Sequence, residues 1–588
     1  LHAAVTLHSG APIDTSQGDV VPLTDPNLAV NEVADQFWDG VLERDPVFAT
    51  ILGIDLYDDR LPDLGESGRR EDAAALRETL VAAEAIPVDG LQPEQVITRD
   101  MLVLVARNHL EAHEQKQYQL AVDHIFGVQI MPARIAQYQV ANTPERLERM
   151  LTRFAAYPTA IEQHIETLRE GLADRRTAAS VPVRKEIEQI ERMLALPPAN
   201  FPAVTMANVA DDAARTRVQE VVAGSIYPAL QSLRDFLSDE YEAHARPEPG
   251  ISATPGGDAA YALDIRMNTT VAATPEEVHR FGLEDLAHIE AEQDEIARRA
   301  GHRDRLSLAK ALAEDPANRP SAREQLIQLA QEQTVRAYAT APRYFGRLPS
   351  ADCEVKQVEE YREREVPPAF YMPPAVDGSR PGQFYINTYQ PQERQLHRIA
   401  SITFHEATPG HHFQLAIEME LNGLPRFRTL GSRLAGVAYV EGWGLYCERL
   451  ADEMDLYQSD AERLGMLEMQ AFRASRLVVD SGLHAFGWSR ARAIEFMHER
   501  GSLPLVDSEI EVDRYTIWPG QALAYKIGQR EIERARREVS ELMGDRFDLR
   551  TFHDEVLGHG SVPLATLRRE IPGWVEAAVA ATEGAPAR

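Results

Sequence analysis

The sequence predicts a large, mainly α-helical protein with a small β-sheet set close before a metal-binding motif. Three observations carry that expectation. Apolar residues recur at three- and four-residue spacing through most of the chain, the pattern of helices with one buried face. The period shifts toward two only within residues 353–389, between proline-rich turns. No segment repeats itself at the period of roughly 20–50 residues that marks a helical solenoid.

Residues 1–24 read as a polar N-terminal tail. From Asp25 the pattern turns helical. Asn27 is placed to cap a segment with Val30, Val33, Ala34, Phe37, Trp38 and Val41 on one face, and Asp45-Pro46 ends it. The same spacing marks Arg69–Ala85, Pro93–Ala112, Thr143–Leu172, Val181–Leu196, Asp211–Glu242, Pro275–Ala300 and Ala322–Ala341. The Pro/Gly-rich stretch 245–258 reads as a surface loop inside one fold, because composition does not change across it. Cys353–Tyr361, Ala369–Met372 and Gln383–Tyr389 are expected to pair as a small antiparallel sheet. Helix resumes over Leu396–Leu421, Ala435–Glu453, Ser459–Phe486, Arg490–Arg500, Pro519–Met543 and Pro563–Ala580. Residues 25–588 thus read as one domain, with an N-terminal helical half of about 25–350 and a C-terminal half of about 351–588.

A chain of 588 residues with 44% hydrophobic and 26% charged residues has room for a large core and an ordinary globular balance. Its net charge of −31 argues against nucleic acid and anionic membranes, which select a basic face. No apolar run reaches the length of a membrane-spanning helix. Cys353 and Cys447 make neither a disulfide framework nor a cysteine metal site, which favours a reducing cytoplasm. The first residues lack a basic-then-apolar signal pattern, and a signal removed ahead of Leu1 stays open.

The chemistry concentrates in Phe404-His405-Glu406-Ala407-Thr408-Pro409-Gly410-His411-His412-Phe413. A His-Glu opening is how zinc-peptidase helices begin: a ligand, then the carboxylate that activates water. In H-E-x-x-H the two histidines share a helix face about 6 Å apart, and here the second position is Pro409. On a straight helix His411 points away from His405, and His412 sits about 10.5 Å along the axis. Proline lacks the N–H that would bond the His405 carbonyl, and glycine tolerates unusual backbone angles. A bulge at Pro409-Gly410 is therefore expected to bring His411 to the second ligand position, with His412 as its rival. Glu441 is the candidate third ligand, because it lies in an otherwise apolar segment where an unpaired carboxylate would be costly. Glu448 shares its face and either braces a ligand histidine or exchanges roles with Glu441.

The order HEATPGHH, EGWGLYCE (441–448) and RYTIWPGQALAYKIG (514–528) resembles a bacterial HExxPGHH family known as a domain of unknown function. The resemblance also takes in residues 384–389, 480–484 and 487–490, and it covers at least 380–565. That family looks like a divergent relative of the all-helical gluzincin peptidases, such as angiotensin-converting enzyme and the thermostable carboxypeptidases. It departs from them in the Pro-Gly insertion. The resemblance implies a helical fold with a deep cleft between two halves and one zinc ion on two histidines and a glutamate.

The expected function is a zinc-dependent metallopeptidase of short peptides, of carboxypeptidase or dipeptidase type. Zinc on His405, His411 and Glu441 would activate a water, with Glu406 as base and then acid. The resemblance points to a late-helix tyrosine as oxyanion donor, Tyr515 or Tyr525. Arg514 and Lys526 are candidates for a substrate carboxylate, and His484 for a hydrogen bond to substrate. Strand 383–389 is a candidate to take an extended peptide as an added strand, with Asn387 and Tyr389 facing it. Two other readings are a zinc hydrolase of a non-peptide amide or ester, and a catalytically silent metal-binding protein. Retention of Glu406 speaks against the last, since a structural site needs no base. The expected state is a monomer or homodimer with no nucleic-acid or membrane partner.

Overall fold

Asp25, rather than Asn27, caps the first helix, Pro26–Arg44: its carboxylate accepts the Asn27 N–H, and Pro26 sits where a missing N–H costs nothing. Val30, Ala34, Phe37, Trp38 and Leu42 form its buried face. Asp45 ends it and caps the next helix, Pro46–Ile51. This computed structural model describes residues 25–583, apart from 359–362, 364–366, 375–377 and 379. Helices make up 72% of it and strands 4%. No helix among the described residues is long and apolar enough to cross a membrane.

Two hydrophobic cores organise the helices. The larger joins residues 34–110 to residues 251–579, and the second gathers residues 122–241 together with Val47. The division therefore does not fall near residue 350. The first helices pack across the chain instead: Phe37 meets Phe427 edge-to-face at 5.3 Å, and the buried Arg428 donates to Thr98 at 3.0 Å. Asp513, fully buried, ties the two bodies together by pairing with Lys185 at 2.5 Å and Arg490 at 2.6 Å. Residues 120–123 and 126–128, with 516–519, line a cavity of about 570 Å³ at that junction. The 245–258 stretch is partly inside the protein rather than on its surface. Gly250 and Ile251 are buried, and a Cβ on Gly250 would lie 1.9 Å from the Leu483 carbonyl.

The sheet is mixed, not antiparallel. Gly382–Ile386 is its central strand, parallel to Cys353–Gln357 and antiparallel to Ala369–Met372. Every residue of the central strand is buried, which suits the middle of a sheet, while the half-buried flanking strands suit its edges. The stretch 359–361, expected to continue the first strand, lies outside the described residues. Phe384 and Ile386 pack against Leu326, Ile399 and Ala407, which seats the sheet on the helix that carries His405.

One buried acidic pair gives the fold a pH dependence. Asp480 accepts from Tyr261 Oη at 2.6 Å and from Gly520 N at 3.2 Å, and Asp264 accepts from Gln117 at 3.2 Å. Burial pushes Asp264 up to about 8 and Asp480 up to about 7. An unfolded aspartate titrates near about 4, so over the interval between that value and 8 the folded chain binds more protons than the unfolded one. Stability from protonated Asp264 is thus fully present below about pH 4 and is lost as pH rises through 8. Asp264→Asn, neutral throughout, is expected to lose less of its melting temperature between pH 5 and pH 8 than the unmodified protein does. Paired thermal melts at the two pH values check this.

Candidate metal centre

The helix Ile399–Glu406 stops one residue after His405, and a new helix starts at His411. Between them Ala407 (φ −100°, ψ −106°) and Gly410 (φ −75°, ψ −126°) leave helical geometry, and the Thr408–Pro409 peptide is cis. The interruption is a full break, not a bulge inside one helix. Pro409 has no N–H to offer the preceding turn, and Gly410 approaches the His405 carbonyl so closely that a Cβ would lie 1.9 Å from it. The His412 N–H closes the turn on the Ala407 carbonyl at 3.2 Å. The Pro409 carbonyl accepts from Trp443 Nε1 at 3.0 Å and Cys447 Sγ at 3.3 Å. Those two residues are one turn apart on Ala438–Glu453, so the turn also aligns the helix carrying Glu441.

His405 and His411 are thereby brought ring to ring, centroids 4.6 Å apart. Glu441 Oε2 lies 3.7 Å from His405 Nε2 and 3.6 Å from His411 Nε2. One ligand atom from each residue falls within 4.8 Å of the other two, a spacing that a single ion with bonds of about 2.0–2.2 Å can span. Glu448 Oε1 holds His405 Nδ1 at 2.8 Å, which turns Nε2 toward Glu441. Glu448 is thus the brace and Glu441 the member of the cluster, rather than the reverse. The brace is itself held: Gln470 donates to Glu448 at 3.0 Å and accepts from Lys526 at 2.8 Å, and Lys526 pairs with Asp285 at 2.8 Å. His411 has no such brace, and its Nδ1 is buried without a partner among the described residues.

The electrostatics suit a cation. Burial opposes a charge on His405, yet its bonds to Glu441 and Glu448 outweigh burial and raise it to about 9. Burial likewise pushes Glu441 up, and the two histidines more than reverse this, holding it well below the usual carboxylate range. Gly444, which the sequence reading missed, keeps the space clear. A Cβ there would lie 2.8 Å from His405 Nε2 and 3.0 Å from His411 Cε1. Gly442 performs a similar service on the other side, where a Cβ would lie 2.4 Å from Gly528. Two glycines inside one helix, each costing about 1 kcal/mol there, were the signal that could have found both.

The remaining expected site residues divide. Glu406 is half-buried beside His405, and its carboxylate has no ion-pair or hydrogen-bond partner among the described residues. His412 is no rival ligand: one step round the helix from His411, it faces the sheet, with Nδ1 2.8 Å from Tyr371 Oη, and burial lowers it to about 4. Tyr515 Oη donates to Glu511 at 2.9 Å, and Tyr525 lies under the Arg476 guanidinium, 4.5 Å from ring centroid to Cζ. Neither tyrosine hydrogen-bonds to His405, His411, Glu441 or Glu406. Arg514 donates to Gln521 at 3.0 Å and pairs with Glu511 at 3.5 Å, while Lys526 is spent in the brace. His484 is a core strap, not a substrate donor: it accepts from Ile251 N at 3.1 Å and donates to the Tyr515 carbonyl at 3.0 Å. Asn387 donates to the Glu363 carbonyl at 2.7 Å and accepts from Tyr389 N at 2.9 Å, so both fix the loop after the central strand. That strand has neighbours on both edges and cannot take a peptide as an added strand.

Glu448→Gln, which keeps shape but loses charge, is expected to weaken binding of a divalent transition metal by about 10–100-fold. Competition against a chromogenic chelator measures it.

No curated protein matches this chain. A protein of Colwellia psychrerythraea described as a "putative lipoprotein" has a crystal structure similar to it, with a TM-score of 0.87 and 26% identity. The similarity covers 94% of this chain and 100% of that one. A Shewanella oneidensis protein described as a "putative lipoprotein of unknown function" shares the fold at a TM-score of 0.74 and 18% identity, over 92% of this chain and 99% of that one. The bacterial family of unknown function DUF885 matches residues 46–571, and the chain belongs to that family.

Proposed function

We propose that this protein is a zinc-dependent hydrolase, a gluzincin-like metallopeptidase of short peptides that uses the HExxPGHH motif. The observation that carries the reading is the convergence of His405, His411 and Glu441, with Glu448 bracing His405. Two imidazoles and a carboxylate are the donor set of catalytic zinc sites, and the space kept by Gly444 fits an ion. Zinc bound there would supply Lewis acidity, lowering the pKa of water and polarising a carbonyl. Glu406 takes the proton of the attacking water and delivers it to the leaving amine, a role open to it because no other group engages its carboxylate among the described residues. Glu448 keeps His405 in the tautomer with Nε2 toward the ion. Tyr525 is the better oxyanion donor, since the Tyr515 hydroxyl is already donated to Glu511.

A zinc hydrolase of non-peptide amides or esters would use the same residues, and a silent metal-binding protein would leave Glu406 without a task. On location, the cysteine content favours the cytoplasm, whereas the Colwellia psychrerythraea relative described as a "putative lipoprotein" favours a lipid-anchored protein. Glu406→Gln is expected to retain zinc and to lower hydrolysis about 10²–10⁴-fold. Metal analysis beside digestion of a mixed peptide library checks both halves. Undiminished turnover by the variant removes Glu406 as the base.

A further inference from the structure

The helix Asp460–His484 is buried along most of its length, and between Leu464 and His484 only Met469 and Arg473 are half-exposed. They are four residues apart, so they share the one face of this helix that opens to solvent there. Gln470, next to Met469, is the residue that holds Glu448 and through it His405. Arg473 follows one turn later, about 4.5 Å along the axis. It thus follows by one turn the residue that holds Glu448, which places it beside the candidate metal centre rather than on a remote surface.

Its guanidinium is incompletely satisfied. Nε and Nη1 are buried without a hydrogen-bond partner among the described residues, between the rings of Phe472 at 4.8 Å and Tyr525 at 5.8 Å. Arg476, one turn on and only 3% exposed, donates through Nη2 to Glu511 at 2.8 Å, while its Nε and Nη1 are also without a partner. Arg514 pairs with the same Glu511 at 3.5 Å. Two guanidinium groups therefore share one carboxylate, and Arg473 has no ion pair among the described residues. The nearby acids are committed elsewhere, Glu448 to His405 and Asp285 to Lys526. Buried, unpaired guanidinium N–H groups are costly, and a chain of net charge −31 has no general need of them. An anion entering along the Met469–Arg473 face would supply the missing acceptors.

We propose that Arg473, backed by Arg476, receives the free C-terminal carboxylate of the peptide substrate. The assignment rests on the zinc-peptidase reading and deepens it, because it makes the enzyme act at the C-terminal end of short peptides. A guanidinium presents paired N–H groups in the geometry a carboxylate accepts. An extended residue spans about 3.3–3.6 Å, so one or two residues bridge from Glu406 to a receiver one helical turn beyond the brace. Arg514, whose two terminal nitrogens are held by Gln521 and Glu511, and Lys526, held by Gln470 and Asp285, give way to Arg473 in this role.

The test uses the full chain with pairs of short peptides that differ only in a free or amidated C-terminus. Zinc-loaded protein is expected to cleave the free acids about 10–100-fold better in kcat/KM, mainly through KM. In Arg473→Gln that ratio falls toward one, and Arg473→Lys restores part of it. Binding is read separately by calorimetry on metal-free protein with an N-acetylated dipeptide and its amide, where the same preference should appear and vanish in Arg473→Gln. The melting temperature of Arg473→Gln should hold or rise, since an unsatisfied guanidinium has gone. Equal handling of acid and amide in both assays overturns the proposal and leaves the peptidase reading standing. A preference that follows internal Asp or Glu in amidated peptides overturns the C-terminal assignment. Cleavage of no peptide, with the acid still bound preferentially, overturns the peptidase reading and not the carboxylate receiver.

Discussion

The carbonyl of Pro409 is the contact on which the centre depends. It accepts both the Trp443 indole and the Cys447 thiol, and so fixes the turn between the two motif helices to the helix that carries Glu441. Without the break at Ala407–Gly410, His411 would leave the face of His405. The Pro409 contacts and the Glu448–His405 bond together set the position of Glu441 relative to both histidines. The close packing follows from glycine at three places: Gly410 against the His405 carbonyl, Gly444 under the imidazoles, and Gly442 against Gly528. Each is a point where backbone or ring approaches too closely for any side chain.

Around this core runs a chain of buried polar groups, His405 to Glu448 to Gln470 to Lys526 to Asp285. Each member satisfies the next, so the loss of any one strands a polar group in a low-dielectric interior. The same chain explains why Lys526 is not available to substrate. Along Asp460–His484 the polar residues Gln470, Arg473, Arg476, Asp480 and His484 recur at helical spacing. One buried helix therefore carries the brace of the candidate metal centre, the excess guanidinium charge, the acidic Asp480 and the strap to Tyr515.

The sheet contributes position rather than a binding edge. Its central strand is wholly buried and packs on Ile399 and Ala407, so the metal-motif helix rests on a fixed platform. Tyr371 from an edge strand holds His412, which secures the start of the second motif helix. The extended segment 383–389 thus supports the site from behind, and its Asn387 and Tyr389 are occupied with their own loop.

The sequence by itself pointed to the helical class, the strands before the motif and the candidates His405, Glu406, His411 or His412, and Glu441 or Glu448, because periodicity and spacing are local properties. It also showed that Pro409-Gly410 must interrupt the helix, since proline and glycine act through the backbone of their own turn. Tertiary structure alone decided which way each side chain faces after the break. His412 and His411 are neighbours of equal chemistry, and only the Tyr371 hydroxyl on a strand some 40 residues earlier separates them. Likewise Lys526 and His484 look alike as polar residues in helical sequence. Their partners Asp285 and Ile251 come from distant parts of the chain, and pairing over such distances is fixed by packing.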